Sequence, residues 1–466
     1  MNQIKTNNNN QYNLTVESAR KDIERNNSEI NNQMLKDMAT FRRMDYSYFL
    51  VSLILICFGL IMLFSASMST SFATQDDNPS YYFIRQAIFS LIGLSVAIVG
   101  ANFVPIDFFQ KKTFFVGGYI ATTFALGLVF VTGTEQMGAQ RWLNLFGVLF
   151  QPSEIAKFMA VFVLAGYFSE IRKDRFMGKY RAESPLRQFW LDGRILFLRP
   201  VLAMGVWFVL IVAQPHLSGA LIFAGICFMV FVAAKIPWKT WISGIIQLLP
   251  VLIAGILLLS LIFPHINDGQ TLIEAVGERF AHSKARIETF ADEEAVSEDQ
   301  SYQTRQAEIA MGSGGLTGVG LGKGRQKYNY LPQIHNDYIF PAIAEELGYL
   351  GTMSVLILFF VQFFLGVRIA LNAKNMFSAL IAWGFSFLII LQVILNVGVA
   401  AKVVPATGIT LPFFSYGGTS NIIFIIEIGM VLCVSKFGQR EHKTLKESFD
   451  RQKYARSAKN AGGTTQ

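Results

Sequence analysis

Residues 47–68, SYFLVSLILICFGLIMLFSASM, decide the fold class of this chain. The stretch carries no charged side chain, and a helix of about 20 apolar residues spans the roughly 30 Å hydrocarbon core of a bilayer. Of the 466 residues, 52% are hydrophobic and only 15% are charged, which is too little charge for the surface of a soluble protein of this length. The chain is therefore predicted to be an all-α polytopic membrane protein.

Similar apolar runs recur along the chain and give ten predicted transmembrane helices. The fifth and sixth are short and are separated only by QPHLSG, which predicts a tight helical hairpin. The three cysteines lie inside apolar runs and are predicted to pack in the core. The predicted spans cover residues 47–68, 82–103, 112–132, 149–169, 199–214, 217–234, 241–263, 338–367, 376–402 and 413–435.

Basic residues in the connections orient these spans. Seven Lys or Arg precede the first span, and the connection 170–199 holds eight, whereas the alternate connections 69–80, 133–147 and 403–412 hold only Arg141. Both termini are therefore predicted to be cytoplasmic. The net charge of +8 reflects this bias and attraction to anionic lipid head groups, and no nucleic-acid surface is predicted.

The polar segments divide the chain into three predicted parts. Residues 1–44 form a cytoplasmic N-terminal tail, rich in Asn, Gln and charge and predicted to be disordered. Residues 45–436 form the membrane domain, and residues 437–466 form a cytoplasmic C-terminal tail. The N-terminal stretch has no apolar h-region, so no cleavable signal is predicted.

One connection is much longer than the others. Residues 264–337 form a polar segment of roughly 70 residues on the predicted extracytoplasmic side, and loops of this length often carry function. Its Gly-rich stretch, GSGGLTGVGLGKG (312–324), has neither a preceding strand nor a GKS or GKT sequence, which argues against a nucleotide site. We expect tight turns whose N–H groups, with Lys323, Arg325 and Lys327, are available to an anionic head group.

Two of the spans contain unusual polar residues. In QPSEIAKF (151–158), Glu154 and Lys157 fall one turn apart on a helix, and an ion pair inside a membrane faces the bundle interior or a water-filled cavity. In TGITLPFFSYGGTSN (407–421), Gly, Pro, Ser and Thr predict irregular backbone, which survives at membrane depth only inside protein or around a cavity. The alternatives are a structural ion pair and small residues for close helix packing.

A third polar feature is LPQIHNDYIFPAIAEELGYLG (331–351), where the long loop becomes an apolar span. Asp337 falls at the N-terminus of the eighth predicted helix, where the helix dipole favours an ionised carboxylate; a capping role alone is the alternative. Glu345 and Glu346 follow about 12–14 Å deeper. In the predicted topology all three features converge on the outer leaflet, so they predict a site open to the outer face, where no ATP or nucleotide sugar is expected.

These motifs, in this order, resemble the SEDS family, which comprises FtsW, RodA and SpoVE, and they look most like FtsW. The resemblance also includes GAQRWLNL (138–145) and the continuous stretch 306–351, and it extends over residues 47–436. It implies a peptidoglycan glycosyltransferase that polymerises lipid II at the outer face of the bacterial cytoplasmic membrane during cell division, at the septum. It also implies a class B penicillin-binding protein and other divisome proteins as partners.

The resemblance assigns site residues as well. Asp337, in the H-x-D motif that begins at His335, matches the family's essential carboxylate, and we expect it to act as the general base of an inverting displacement. Trp142 matches the family's R-W motif, and Glu154 and Lys157 match its membrane ion pair. Supporting or substrate-binding roles are expected for these three residues and for His335, Arg141, Lys323, Arg325, Ser415, Gly417 and Gly418.

The pyrophosphate leaving group of such a reaction departs with negative charge that must be stabilised. The sequence offers several sources of positive charge and does not choose among them. They are Lys157, Arg141, Lys323, Arg325 and a divalent cation such as Mg²⁺ or Mn²⁺.

Some residues depart from the family pattern, and the departure at Thr419, where the family commonly has Ser, is mild. His216 stands where the family usually has a carboxylate, and Lys402 and Glu427 are unexpected charges that would pair only if they face each other. The alternative functions are the elongation polymerase of the RodA type, a lipid II flippase or other transporter, and a structural scaffold of the divisome.

Overall fold

The computed structural model describes residues 44–266, 277 and 298–438, with gaps at 76, 137–138, 146–147, 215, 329 and 406–407. Nearly all of both predicted tails and most of the long loop before residue 298 lie outside the described residues. Their predicted character stays a prediction.

The described chain is mostly helical, as the apolar runs require, because a helix satisfies its own backbone hydrogen bonds in hydrocarbon. A π-helical turn, Gly193–Leu198, joins α6 to α7. The helices are α1 (Tyr46–Thr74), α2 (Tyr81–Phe103), α3 (Ile106–Phe109), α4 (Lys112–Thr132), α5 (Pro152–Phe176), α6 (Pro185–Asp192), α7 (Arg199–Ala213), α8 (Leu217–Ala233), α9 (Trp238–Ile266), α10 (Glu298–Ser313), α11 (Ile339–Leu371), α12 (Met376–Ala400) and α13 (Thr419–Phe437).

Within the described residues, eight helical segments are long and apolar enough to cross a membrane, one of them being the continuous segment Pro185–Ala213. Two further helices, α5 and α8, overlap predicted spans but are not long and apolar enough to be counted among the eight. Helix α5 contains the charged residues Glu154 and Lys157, which lower its apolarity, and α8 is only 17 residues long. The chain is a multi-pass membrane protein, and each predicted span overlaps a helix.

The connection between α4 and α5 contains a small antiparallel sheet that the all-helical expectation did not include. Its strands are β1 (Thr134–Gln136), β2 (Ala139–Leu145) and β3 (Val148–Phe150), in the order β1-β2-β3. Two of the strands have three residues, too few for an alternating pattern to be recognised in the sequence. Arg141 and Trp142 lie on β2, which contacts α5.

Helices α12 and α13 form the centre of the bundle. Within an apolar stretch of 18 residues in each helix, 67% is buried in α12 and 72% in α13, compared with 11% in α9. Polar side chains on α12 and α13 are therefore shielded from lipid. Helix α13 packs mainly on α2, and α12 packs on α5, α8 and α11, so the segment between α12 and α13 is surrounded by the ends of several helices.

Candidate active site

Asp337 lies in the turn that leads into α11, and its side chain is half-buried. Asn396, buried on α12, donates one Nδ2 hydrogen bond to the backbone carbonyl of Asp337 (3.0 Å) and another to the carbonyl of Ile409 (2.6 Å). A Cβ placed on Gly408 would lie 3.2 Å from Asp337 Oδ2. One amide side chain thus fixes the backbone at residue 337 and holds the segment after α12 against its carboxylate.

The His335 ring is packed between aromatic side chains. It stacks on Tyr82 of α2 with a centroid separation of 4.7 Å, and its carbonyl accepts a hydrogen bond from the Tyr416 N–H at 2.8 Å. Burial lowers the pKa of His335 to about 4, so the imidazole is neutral at neutral pH. Its Nδ1 has no hydrogen-bond partner in the described chain. These contacts make His335 a packing element that positions the turn containing Asp337.

The loop 408–418 has irregular backbone, as its sequence predicts. Gln86 of α2 donates to the carbonyl of Ser415 (3.0 Å) and accepts from the N–H of Gly417 (3.4 Å). The Ser415 hydroxyl accepts a hydrogen bond from the Leu411 N–H at 2.8 Å. Gly418, at φ 51°, precedes the first residue of α13. Ser415 and Gly417 therefore hold the loop in shape.

The Glu154–Lys157 pair lies in the first two turns of α5. The Lys157 ammonium contacts Glu154 Oε1 at 2.7 Å, and their side chains are 3% and 11% exposed. Beside them, the Ser153 hydroxyl lies 3.2 Å from Nδ1 of His216, which occupies the position of the expected carboxylate. Glu427, buried on α13, is within electrostatic range of both charges of the pair.

The loop 408–418 and the first residue of α13 belong to one of the three polar features and contact the regions of the other two. At one end the loop meets Asp337 and His335, as described above. At the other, the Thr419 hydroxyl donates to the carbonyl of Leu149 at 3.1 Å, two residues before Gln151 and α5. The structure therefore brings the loop to both the Asp337 turn and the start of α5. Trp142 lies on β2, where its carbonyl accepts a hydrogen bond from the Thr134 hydroxyl at 3.2 Å.

The unexpected charges Lys402 and Glu427 do not pair with each other. Lys402 forms an ion pair of 2.9 Å with Glu308, which lies on α10. This contact ties the described part of the long loop to the segment after α12.

The Gly-rich segment packs against the protein instead of presenting free N–H groups. The Glu345 carboxylate accepts from the Arg325 N–H at 2.7 Å, and the Glu346 carboxylate accepts from the Gly322 N–H at 3.0 Å. The carbonyls of the same two glutamates accept from Val319 and Gly320, each at 3.0 Å. The expectation that these N–H groups serve an anionic head group is therefore wrong for the groups named here, because the protein's own oxygen atoms occupy them.

The expectation that Lys327 is available to an anionic head group is also wrong. Its ammonium contacts Glu346 Oε1 at 2.9 Å, and both side chains are 2% exposed. The Ser65 hydroxyl of α1 donates to the other oxygen of Glu346 at 2.6 Å. This buried cluster fastens the Gly-rich segment to α1 and α11, so Lys327 is not available to a ligand. Lys323 and Arg325, by contrast, are exposed.

The packing of the Gly-rich segment on Glu345 and Glu346 requires a break in α11. Gly348 adopts φ 65° and ψ −164° inside the helix, a conformation that side chains other than glycine rarely adopt. The break frees the carbonyls of Glu345 and Glu346 for the Gly-rich segment. A Cβ on Gly318, also at positive φ (79°), would collide with the Glu346 carbonyl. Both glycines are therefore needed for the close approach.

Sequence reasoning missed three residues that shape the site, namely Tyr82, Gln86 and Asn396. A signal existed for Asn396, since a polar residue inside an apolar span usually faces the protein interior. Gln86 and Tyr82 gave no such signal, because they lie near the end of a span where polar and aromatic residues are common. In the described chain, no three His, Cys, Asp or Glu side chains are grouped as a protein-built metal site would require.

The chain matches the FTSW_RODA_SPOVE family model, described as a cell cycle protein, over residues 45–440. A similar curated relative is the probable peptidoglycan glycosyltransferase FtsW of Geobacter sp. strain M18, 32% identical over 84% of this chain and 96% of the relative. Another is the protein of the same name from Coxiella burnetii, 33% identical over 82% of this chain and 94% of the relative.

Solved structures share the fold. RodA of Thermus thermophilus, a rod shape determining protein, has a TM-score of 0.56 and 23% identity, with 85% of this chain and 98% of that chain covered. At this identity the likeness concerns the fold alone. Since the family model covers most of the sequence, the chain belongs to the FtsW, RodA and SpoVE family of cell cycle proteins, the SEDS family.

Proposed function

We propose that this chain, a peptidoglycan glycosyltransferase of cell division, polymerises lipid II at the outer face of the cytoplasmic membrane with Asp337 as the general base. The observation that carries the assignment is the position of Asp337. Its backbone is held by Asn396, its turn is packed by His335, and its carboxylate lies beside the loop 408–418. The relatives' shared name supports the activity.

The proposed reaction is one displacement at the anomeric carbon of the donor sugar. A hydroxyl oxygen of the acceptor sugar forms a bond to that carbon as its proton passes to the Asp337 carboxylate. The bond between the carbon and the pyrophosphate oxygen breaks, and undecaprenyl pyrophosphate leaves with the electron pair. A single displacement inverts the anomeric configuration. Holding both lipids in register lowers the remaining barrier through proximity.

Side chains are the proposed source of positive charge for the pyrophosphate. Lys323 and Arg325 are exposed beside the docked Gly-rich segment, Arg141 lies on β2, and Lys157 is compensated by Glu154. A divalent cation held by the described residues would need pyrophosphate oxygens among its ligands, since those residues offer no group of three His, Cys, Asp or Glu.

The proposal includes a membrane placement. All ten predicted spans cross the bilayer, both termini are cytoplasmic, and the long connection 264–337 is extracytoplasmic at the septum. A class B penicillin-binding protein, with other divisome proteins, is the proposed partner. One solved chain of similar fold supports this: it belongs to a peptidoglycan synthase complex in which polymerization and crosslinking are coordinated, with a TM-score of 0.59 and 23% identity, covering 84% of this chain and 97% of that chain.

The test is polymerisation by the purified chain with its penicillin-binding partner and fluorescent lipid II. The expected result is a ladder of glycan strands on a gel. A flippase would instead move lipid II between the leaflets of sealed vesicles and form no strands, and a scaffold would do neither. Depletion of the protein from rod-shaped cells distinguishes a division polymerase from an elongation polymerase of the RodA type. Loss of the division polymerase gives filaments, whereas loss of the elongation polymerase gives rounded cells.

Replacing Asn396 by Leu is expected to slow polymerisation about tenfold or more. The change leaves the buried carbonyls of Asp337 and Ile409 without their donor, at a cost of about 1–3 kcal/mol, and releases the turn that carries the base. Strand synthesis and thermal unfolding measure the two effects separately.

Gln392→Leu is the matched control for this substitution. Gln392 lies one turn earlier on α12, is equally buried, and its Nε2 has no partner in the described chain. Its replacement is expected to leave the rate unchanged. Equal rates for Asn396→Leu and Gln392→Leu would contradict the positioning role of Asn396.

A further inference from the structure

A cleft lies on the face that we propose to be cytoplasmic, between the end of α5 and the start of α6. Its volume is about 560 Å³, and its lining includes Arg175, Lys179 and Arg181. It belongs to the connection 170–199, whose excess of basic residues set the predicted orientation. The glycosyltransfer reaction makes no use of this cleft, which is on the opposite face from Asp337 in the proposed topology.

The wall of the cleft is held by hydrogen bonds. Gln188 accepts from the Ala182 N–H at 2.8 Å and donates to the Tyr180 carbonyl at 3.2 Å. The Ser184 hydroxyl caps α6 by accepting from the Arg187 N–H at 3.3 Å. The Tyr180 ring packs on a small buried cluster of aliphatic residues that includes Ile195. The loop 178–184 is therefore a shaped element, which limits the entropy lost when a ligand binds.

The charges of the cleft leave an excess cation. Arg175 contacts Asp192 at 3.1 Å, and Lys179 contacts Asp174 at 2.8 Å. Arg181 is exposed, and no described residue forms an ion pair with it.

The wider segment 172–194 is also positive. It contains seven Lys or Arg and three Asp or Glu, so its net charge is 7 − 3 = +4. The acidic residues are Asp174, Glu183 and Asp192; Glu183, which lines the cleft, pairs with Arg187 at 3.5 Å. Solvent-exposed pairs of this kind contribute about 0–1 kcal/mol each, so a phosphate group can compete for their cations.

An apolar side chain lines the cleft and is unusually exposed: Phe176 is 94% exposed. The adjacent helix α6 has no buried residue, and its Leu186 is 68% exposed. The continuous helix Pro185–Ala213 has 29 residues. At 1.5 Å per residue it is about 43 Å long, which exceeds the roughly 30 Å hydrocarbon core and places α6 at head-group level. Exposed apolar side chains at that level contact lipid.

We propose that this cleft binds the head group of one anionic phospholipid of the adjacent leaflet. Arg181 and Lys179 contact the lipid phosphate, and Phe176 lies among the glycerol and upper acyl carbons. A lipid head group fits better than a free anion because the cations and the exposed Phe176 ring line the same cleft. The site is independent of the proposed glycosyltransferase chemistry.

The test is native mass spectrometry of the full chain in mild detergent, titrated with dioleoyl phosphatidylglycerol and, separately, with dioleoyl phosphatidylcholine. The expected result is one tightly retained phosphatidylglycerol, bound at least tenfold more tightly than phosphatidylcholine. The double variant Lys179→Gln, Arg181→Gln is expected to weaken phosphatidylglycerol binding at least tenfold with an unchanged thermal unfolding midpoint, because both side chains are exposed.

The matched control is Lys111→Gln, Lys239→Gln, which removes the same charge from exposed residues of the same face, outside the cleft. This control is expected to change binding less than twofold. Equal weakening by both double variants would overturn the proposal in favour of diffuse electrostatic attraction. Complete displacement of the lipid by 10 mM inorganic phosphate, added as a further arm, would overturn it in favour of a free-anion site.

Discussion

Asp337→Asn is expected to lower the rate of strand synthesis by at least about 100-fold, since a positioned general base contributes roughly 10²–10⁴ to the rate. The amide has almost the same shape as the carboxylate but accepts a proton poorly. The hydrogen bond from Asn396 goes to the backbone carbonyl of residue 337, so the substitution leaves it in place. The measurement is the initial rate of polymer formation from fluorescent lipid II.

Asp77→Asn is the matched control. Asp77 lies in the exposed connection between α1 and α2, on the same predicted face, and receives the same chemical change. It is expected to polymerise at the rate of the unaltered chain. Asp337→Asn should also retain the unaltered thermal unfolding midpoint and the association with the penicillin-binding partner. If the Asp337→Asn variant instead makes strands at the normal rate, Asp337 is not the base. That result would leave the polymerase activity of the chain established.

Lys327→Met is expected to destabilise the folded chain by about 3–5 kcal/mol, because removing one member of a buried ion pair leaves the other charge uncompensated. Glu346 would keep the Ser65 hydroxyl and the Gly322 N–H as donors but lose its cation. The Gly-rich segment is held by this cluster, so its detachment should also reduce polymerisation. Thermal unfolding and the polymer assay measure the two consequences.

A double-mutant cycle isolates the pair. Lys327→Met combined with Glu346→Leu is expected to cost less than the sum of the single changes, because no buried charge remains. Lys323→Met, an exposed lysine on the same segment, is the control and is expected to change the free energy of unfolding by less than about 0.5 kcal/mol. A Lys327→Met variant as stable as Lys323→Met would show that the pair does not fasten the segment.

The helices were predictable because hydrocarbon permits few alternatives for a long apolar run. The predicted spans 82–103 and 112–132 match α2 and α4 to within one residue at each end. The prediction was less accurate for the tenth span, which was placed at 413–435 although α13 begins at Thr419. Phe413 and Phe414 extended the apolar run, but residues 413–418 form a loop that Gln86 contacts at Ser415 and Gly417.

The candidate site was only partly predictable. Asp337, Glu154 and Lys157 stand out in the sequence because a charged side chain beside or inside an apolar run is costly in free energy and usually marks a functional site. The partners of the carboxylates did not stand out. Nothing in the sequence shows that Glu345 and Glu346 bind the backbone and the lysine of a segment about 20 residues earlier, or that Lys327 is buried while Lys323 is exposed.

The sequence by itself determined the membrane class of this protein, the approximate limits of its helices and the acidic residue proposed as the base. The first two properties follow from local apolarity, which can be recognised along a chain, and the role of Asp337 follows from the resemblance of its H-x-D motif to the SEDS family. Only the tertiary structure decided which cations are already neutralised and which side chain holds Asp337 in place. Those outcomes depend on contacts between segments far apart in sequence, such as Asn396 with Asp337 and Ser65 with Glu346, whose geometry exists only after the helices have packed.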